Sequence, residues 1–256
     1  MGTLPPCLSW RPLFGMFALI GKEIRSFLGS LIGHIVVVVF LLLTGLFLWL
    51  FEGNLLDMGY ADLGPLFMIA PWVFLFLVPA VTMRSFSEER RTGTIEILLT
   101  KPLTEMQVVL AKYLAAVALV VFALLPTTVY WWSLGELSMP GVPLDNGGIM
   151  GSYLGLLFLA GCFAAIGVFA SSITDNQIVA FLIAVFICFI LHTGLDMLAS
   201  FEAMGKWEAP IKAMGIAAHY ESMGRGVIDL RDVLYFLGTI TVFLLLTRTV
   251  LQSRTW

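Results

Sequence analysis

Six apolar runs divide the chain, at residues 31–51, 63–83, 108–130, 149–170, 178–198 and 233–251. Each is close to the roughly 20 residues that cross a bilayer as a helix. None shows the strict alternation of a half-buried strand. Pro65, Pro71 and Pro79 punctuate the second run, which predicts a kinked helix. The third ends in Tyr130, Trp131 and Trp132, aromatic residues suited to a membrane interface. Ahead of the first run, residues 13–29 follow a different pattern. Phe14, Phe17, Ile20, Ile24 and Phe27 recur at helical spacing, while Lys22, Arg25, Ser26 and Gly29 share another face. This predicts an amphipathic helix lying in the membrane interface, with a plain extension of the first span as the alternative.

The fold class that follows is an all-α membrane protein of six transmembrane helices and an N-terminal interfacial helix. Residues 1–256 read as a single membrane domain. Composition agrees: of 256 residues, 59% are hydrophobic and 12% charged, and mean hydropathy is +0.97. A soluble domain carries about 25% charged residues. The first fifteen residues do not read as a signal peptide, because no basic segment precedes a compact apolar core. A net charge of −3 gives no footprint for nucleic acid.

Six spans put both termini on one side. Ten of the Lys and Arg residues fall on that side and four on the other, all four within the polar segment 199–232. The positive-inside rule therefore predicts cytoplasmic termini. It also places the interval from Met83 to Lys112 in the cytoplasm. That interval combines Arg84, Glu88, Glu89, Arg90, Arg91, Glu96, Lys101, Glu105 and Lys112 with a short apolar core at residues 95–99. Ser85 with Glu88, and Thr104 with Gln107, have capping-box spacing. Gly93 can break a helix, Thr94 can start one, and Pro102 can end it. The pattern predicts a short helix over Thr94–Thr100, held between breaks, on a surface another protein could push. A solvated loop is the alternative.

Chemistry is sparse. No GxxxxGK[ST] phosphate loop occurs, so ATP driving this chain must be hydrolysed elsewhere. GxSxG and HExxH are absent. Cys7, Cys162 and Cys188 form no metal-ligand spacing, and the histidines are scattered, so neither a catalytic nor a metal site is expected. His192 and Asp196 stand at i and i+4 near the outer end of the fifth span. Glu221 and Arg225 repeat that spacing in the 199–232 segment. All four are candidate external-gate residues, with helix-end and surface ion pairs as the alternative.

Residues 89–112 resemble the ABC-2 family of ABC-transporter permeases. The likeness is carried by Glu89-Arg90, Gly93-Thr94-Ile95-Glu96, Leu98-Leu99 and Pro102-Leu103-Thr104, then Ala111-Lys112. Three further stretches, 41–62, 170–180 and 219–231, are similar to the gliding-motility-associated (GldF-like) subfamily. The resemblance implies a non-catalytic subunit of an exporter in a bacterial inner membrane. Its short cytoplasmic helix would be a coupling helix seated on an ABC ATPase dimer, which binds the ATP and Mg. Glu89, Arg90, Gly93, Thr94, Ile95, Glu96, Leu98, Leu99 and Pro102 would form that contact. Thr174, Asp175 and Asn176, in the turn between the fourth and fifth spans, are a candidate second cytoplasmic contact. A second copy or a paired permease would complete the membrane part. Helices in the external segment 199–232 would cap the pathway, and a periplasmic partner is a further candidate. A different class of reading is a membrane anchor that relays ATPase motion to an external partner without moving a solute.

Overall fold

In a computed structural model, residues 11–51, 62–96, 103–138, 144–200, 205–206, 208–226 and 228–253 are described, those at 11–14 in backbone only. Every regular element among them is a helix. Six helical stretches are long and apolar enough to cross a membrane: Leu31–Trp49, Gly64–Arg91, Glu105–Leu137, Asn146–Ile173, Gln177–Ala199 and Leu230–Gln252. The chain is an all-α, multi-pass membrane protein.

Side chains set the breaks between these helices. The amphipathic helix α1 (Arg11–Leu28) stops two residues before Ser30, whose hydroxyl accepts from the Gly33 amide at 3.1 Å and starts α2 (Leu31–Trp49). The second span, α3 (Gly64–Thr82), contains Pro71 and Pro79 in its interior. A short helix, α4 (Ser87–Arg91), follows after one turn. The third span opens at α5 (Glu105–Leu124) on a complete Thr104–Gln107 capping box. It tightens into a 3₁₀ turn at Leu125–Thr127, where Pro126 removes a backbone donor, and continues as α6 (Thr128–Leu137). Tyr130, Trp131 and Trp132 therefore sit inside this helix and not at its end.

Span four, α7 (Asn146–Ile173), is one unbroken helix capped by Asp145. Span five is α8 (Gln177–Phe189), a π-helical turn at Ile190–Gly194, and α9 (Leu195–Ala199). Two short helices, α10 (Glu208–Lys212) and α11 (Ile216–Gly224), lead to the sixth span, α12 (Leu230–Gln252). Helices thus do occupy the segment between spans five and six.

α7 is the axis of the bundle. Its apolar window is 78% buried, against 22% or less for spans one, five and six. It packs on α3, α5, α8, α11 and α12. Between helices in lipid there is little hydrophobic gain, so close packing through small residues must hold them. α7 supplies those residues. A Cβ on Gly167 would lie 1.9 Å from the Thr82 hydroxyl oxygen, and one on Gly151 would lie 2.6 Å from the Met223 carbonyl. Cys162 and Cys188 are small buried residues in this core.

Candidate functional site

The charged interval gathers at one end of the bundle. After α3 the chain turns sharply, and the turn is tied to the last residues of α7. The Ser171 hydroxyl accepts from the amides of Phe86, at 2.8 Å, and Ser87, at 3.0 Å. It also donates to the Met83 carbonyl at 3.1 Å. One hydroxyl has one proton and two lone pairs, so all of its capacity is used. Arg90 adds a donor: its Nη1 lies 2.6 Å from the Ser172 carbonyl. These bonds replace the predicted Ser85–Glu88 capping box. The N-cap of α4 is Phe86, and no side chain caps it; the amides of Phe86 and Ser87, at the very start of the helix, are met from α7.

Beyond α4 the chain breaks at Gly93, whose φ of +70° lies in the left-handed region that glycine adopts without strain. The hydroxyls of Thr92 and Thr94 are 2.9 Å apart. Helix resumes at Ile95, which is buried, and Glu96, which is exposed. The remainder of the predicted 94–100 helix, with Leu98, Leu99 and Pro102, lies outside the described residues.

Beside this turn lies a cluster of four charges from three elements. The ammonium of Lys112, on α5, is almost fully buried. It stands 3.0 Å from Glu23 Oε1 on α1 and 3.0 Å from Glu89 Oε1 on α4, and it donates to the Ser85 carbonyl at 2.5 Å. Three donors meet three acceptors. The Phe86 ring covers the ammonium at 5.0 Å. Lys22 joins from α1, 3.2 Å from Glu23 and 3.3 Å from Glu89, so each carboxylate is shared by two ammonium groups. Burial would raise the Glu23 carboxyl, but Lys112 and Lys22 outweigh it and hold it below the ordinary value. Burial would likewise lower the Lys22 ammonium, but Glu23 and Glu89 outweigh it and raise it. The second oxygen of Glu89 is buried without a hydrogen-bond partner. Next to the cluster, Arg84 and Glu88 pair at 3.5 Å.

Thr174, Asp175 and Asn176 form the turn after α7. Asn176 accepts from the Ile178 amide at 2.9 Å and starts α8, leaving Asp175 exposed. α4 packs on both helices that this turn joins. The turn and the head of the charged interval therefore share one end of the molecule.

The four external-gate candidates do not come together. His192 is buried in the π turn between the edges of Trp72 and Phe163. Asp196 is half-buried and pairs with Lys212 at 3.4 Å. Glu221 and Arg225 are both exposed, and no ion pair among the described residues joins them. The pair that matters at this end is His219 with Asp232. Nδ1 lies 2.6 Å from Asp232 Oδ1, Nε2 lies 3.0 Å from the Ala213 carbonyl, and the ring stacks on Tyr235 at 3.9 Å. Both ring nitrogens face acceptors. The Tyr235 hydroxyl donates to the Met214 carbonyl at 2.6 Å, and Tyr220 donates to the Phe67 carbonyl at 2.8 Å. Together these bonds strap α11 against α3 and α12.

A family model described as ABC-2 family transporter protein matches residues 61–255. The chain belongs to that family. No curated protein matches it. As an ABC-2 transporter chain it is a membrane permease subunit, of a class in which ATP hydrolysis belongs to a partner chain. The match spans α3 to α12 and the whole charged interval, while α1 and α2 fall outside it. Yet α1 supplies half of the ionic cluster beside the Met83–Arg90 turn. Sequence reasoning missed Glu23 and Ser171, and gave Lys22 only a place on the basic face of the interfacial helix. Their partners are distant in the chain, and a lone serine at a helix end carries no signal. Lys112 was visible as one charge of the interval and as part of the family pattern, but its burial and its pairing with Glu23 were not.

Proposed function

We propose that the chain is the membrane half of an ATP-driven exporter, moved by an ABC ATPase dimer that docks on residues 89–102. One observation carries this reading. The head of the charged interval is bonded to α7, α5 and α1 at once, and beyond the Gly93 break it presents an exposed Glu96. A displacement applied there reaches three helices. Lys and Arg asymmetry orients this end, with both termini, toward the cytoplasm of a bacterial inner membrane. α1 then lies along the cytoplasmic interface, with exposed Arg25 toward headgroups and Lys22 turned to the ionic cluster. The ATPase subunits bind ATP and Mg, and Thr174–Asn176 offers them a second contact. A second copy of this chain or a paired permease completes the membrane pathway, and α10 and α11 form its external cover. The GldF-like subfamily rests on the sequence stretches alone.

The test is co-purification. The tagged chain should carry from detergent-solubilised membranes a partner identified by mass spectrometry as a P-loop ATPase. Glu96→Arg and Leu98→Arg should cut its recovery while the variant still inserts in the membrane. Full recovery with both variants, and undiminished export, would refute the docking surface. ATPase recovery without any transported solute would favour mechanical relay.

A further inference from the structure

Spans two and three flank the charged interval in the chain, so they are its obvious mechanical outlets. Neither is built as a shaft. α3 has Pro71 and Pro79 within it, each removing a backbone hydrogen bond. The third span is broken by a 3₁₀ turn at Leu125–Thr127. α7 has no proline, and its 28 residues run unbroken, a length of about 42 Å at 1.5 Å per residue. Its two ends are both engaged. At the charged end Ser171 and Ser172 hold the Met83–Arg90 turn through the four bonds described above. Near its other end, Gly151 and Gly155 bring it against α11: a Cβ on Gly155 would lie 3.3 Å from Met223 Cβ and from the Tyr220 ring. α3 also reaches α11, through Tyr220 and the Phe67 carbonyl, but both prolines lie between that contact and Met83.

We propose that α7 is the transmission element of this permease. Ser171 and Arg90 are positioning residues that lock the ATPase-driven turn to it, and α11 moves with its far end. The proposal rests on the ATPase docking argued above, and it names the route that the motion takes. Span four then carries displacement to the external helix as one body, while spans two and three bend at their breaks.

The experiment uses the full chain assembled with its co-purifying ATPase in proteoliposomes. An environment-sensitive fluorophore is attached through Glu221→Cys, an exposed position on α11, with Cys7→Ser; Cys162 and Cys188 are buried. The readout is the change in signal on adding ATP. Two variants break the route at opposite ends: Ser171→Ala removes the hydroxyl, and Gly155→Ala forces α11 away. Each should reduce the ATP-dependent change by about threefold or more, in the range that single coupling residues produce. ATPase recovery should stay at the parental level, and Ser171→Thr, which keeps the hydroxyl, should restore part of the response. A full response in either variant overturns the proposal, as does a parental complex in which ATP hydrolysis leaves the α11 signal unchanged. Failure of the parental chain to bind an ATPase at all refutes the docking and is read separately, from recovery.

Discussion

Lys112 and Glu89 lie 3.0 Å apart, one at the head of the third span and the other on the short helix after the second. The same ammonium reaches Glu23 at 3.0 Å, so one buried charge pins the amphipathic N-terminal helix and the Met83–Arg90 turn together. The two carboxylates depend on that charge. Lys112→Met should leave them facing each other with only half-exposed Lys22 between. Removing one partner of a buried ion pair costs about 3–5 kcal/mol. We expect a lower thermal midpoint for the purified variant and faster amide exchange across α1 and residues 87–91. Unchanged exchange in α1 would show that the cluster does not hold it.

The cluster should tolerate a wide pH range. The Glu23 carboxyl is held below its ordinary 4.5, so its contribution is present above that value and is lost as pH falls through the lowered one. The Lys22 ammonium is raised above its ordinary 10.5, so its contribution is present below that value and is lost as pH rises through the raised one. Docking of α1 should be flat across neutral pH and weaken only at the acid and alkaline extremes. Limited proteolysis within residues 11–28, followed against pH, measures this. Release of α1 between pH 6 and 8 would contradict it.

At the opposite end, Asp232→Ala should leave the buried His219 ring without its carboxylate partner. Tyr235 and the Ala213 carbonyl remain, but neither supplies negative charge. We expect a loss of about 3 kcal/mol, in the range for breaking a buried pair, and increased labelling of a cysteine placed at Glu221. Asp232→Glu should retain more of the stability than Asp232→Ala. Equal stability of the two variants would argue that the pair has no electrostatic role.

The sequence was most legible where structure is local. Six apolar stretches, the prolines within the second and the Thr104–Gln107 box depend on residues a few positions apart, and all are present. The Ser85–Glu88 box was misread for a physical reason. A hydroxyl 84 residues away serves the Ser87 amide, while the Ser85 carbonyl is taken by Lys112. Glu23 and Lys112 are 89 residues apart, and their pairing has no signature in either neighbourhood. Equally hidden was His219, which looked like one of three scattered histidines. Its partner is 13 residues on, across a turn that only the fold closes. By contrast, the i, i+4 spacing of His192 with Asp196 is plain in the sequence, but the further partners of each are not. The ring is enclosed by aromatic residues and the carboxylate turns to Lys212.

The central claim is that work from ATP enters through the segment beyond Gly93. Its most direct test is a photo-crosslinking amino acid at position 96, activated in membranes of cells carrying the full transporter. The account predicts an adduct with a P-loop ATPase subunit, lost when the reactive group is moved to exposed Glu221. An absence of any ATPase adduct from position 96, with the ATPase present and the chain inserted, would contradict it.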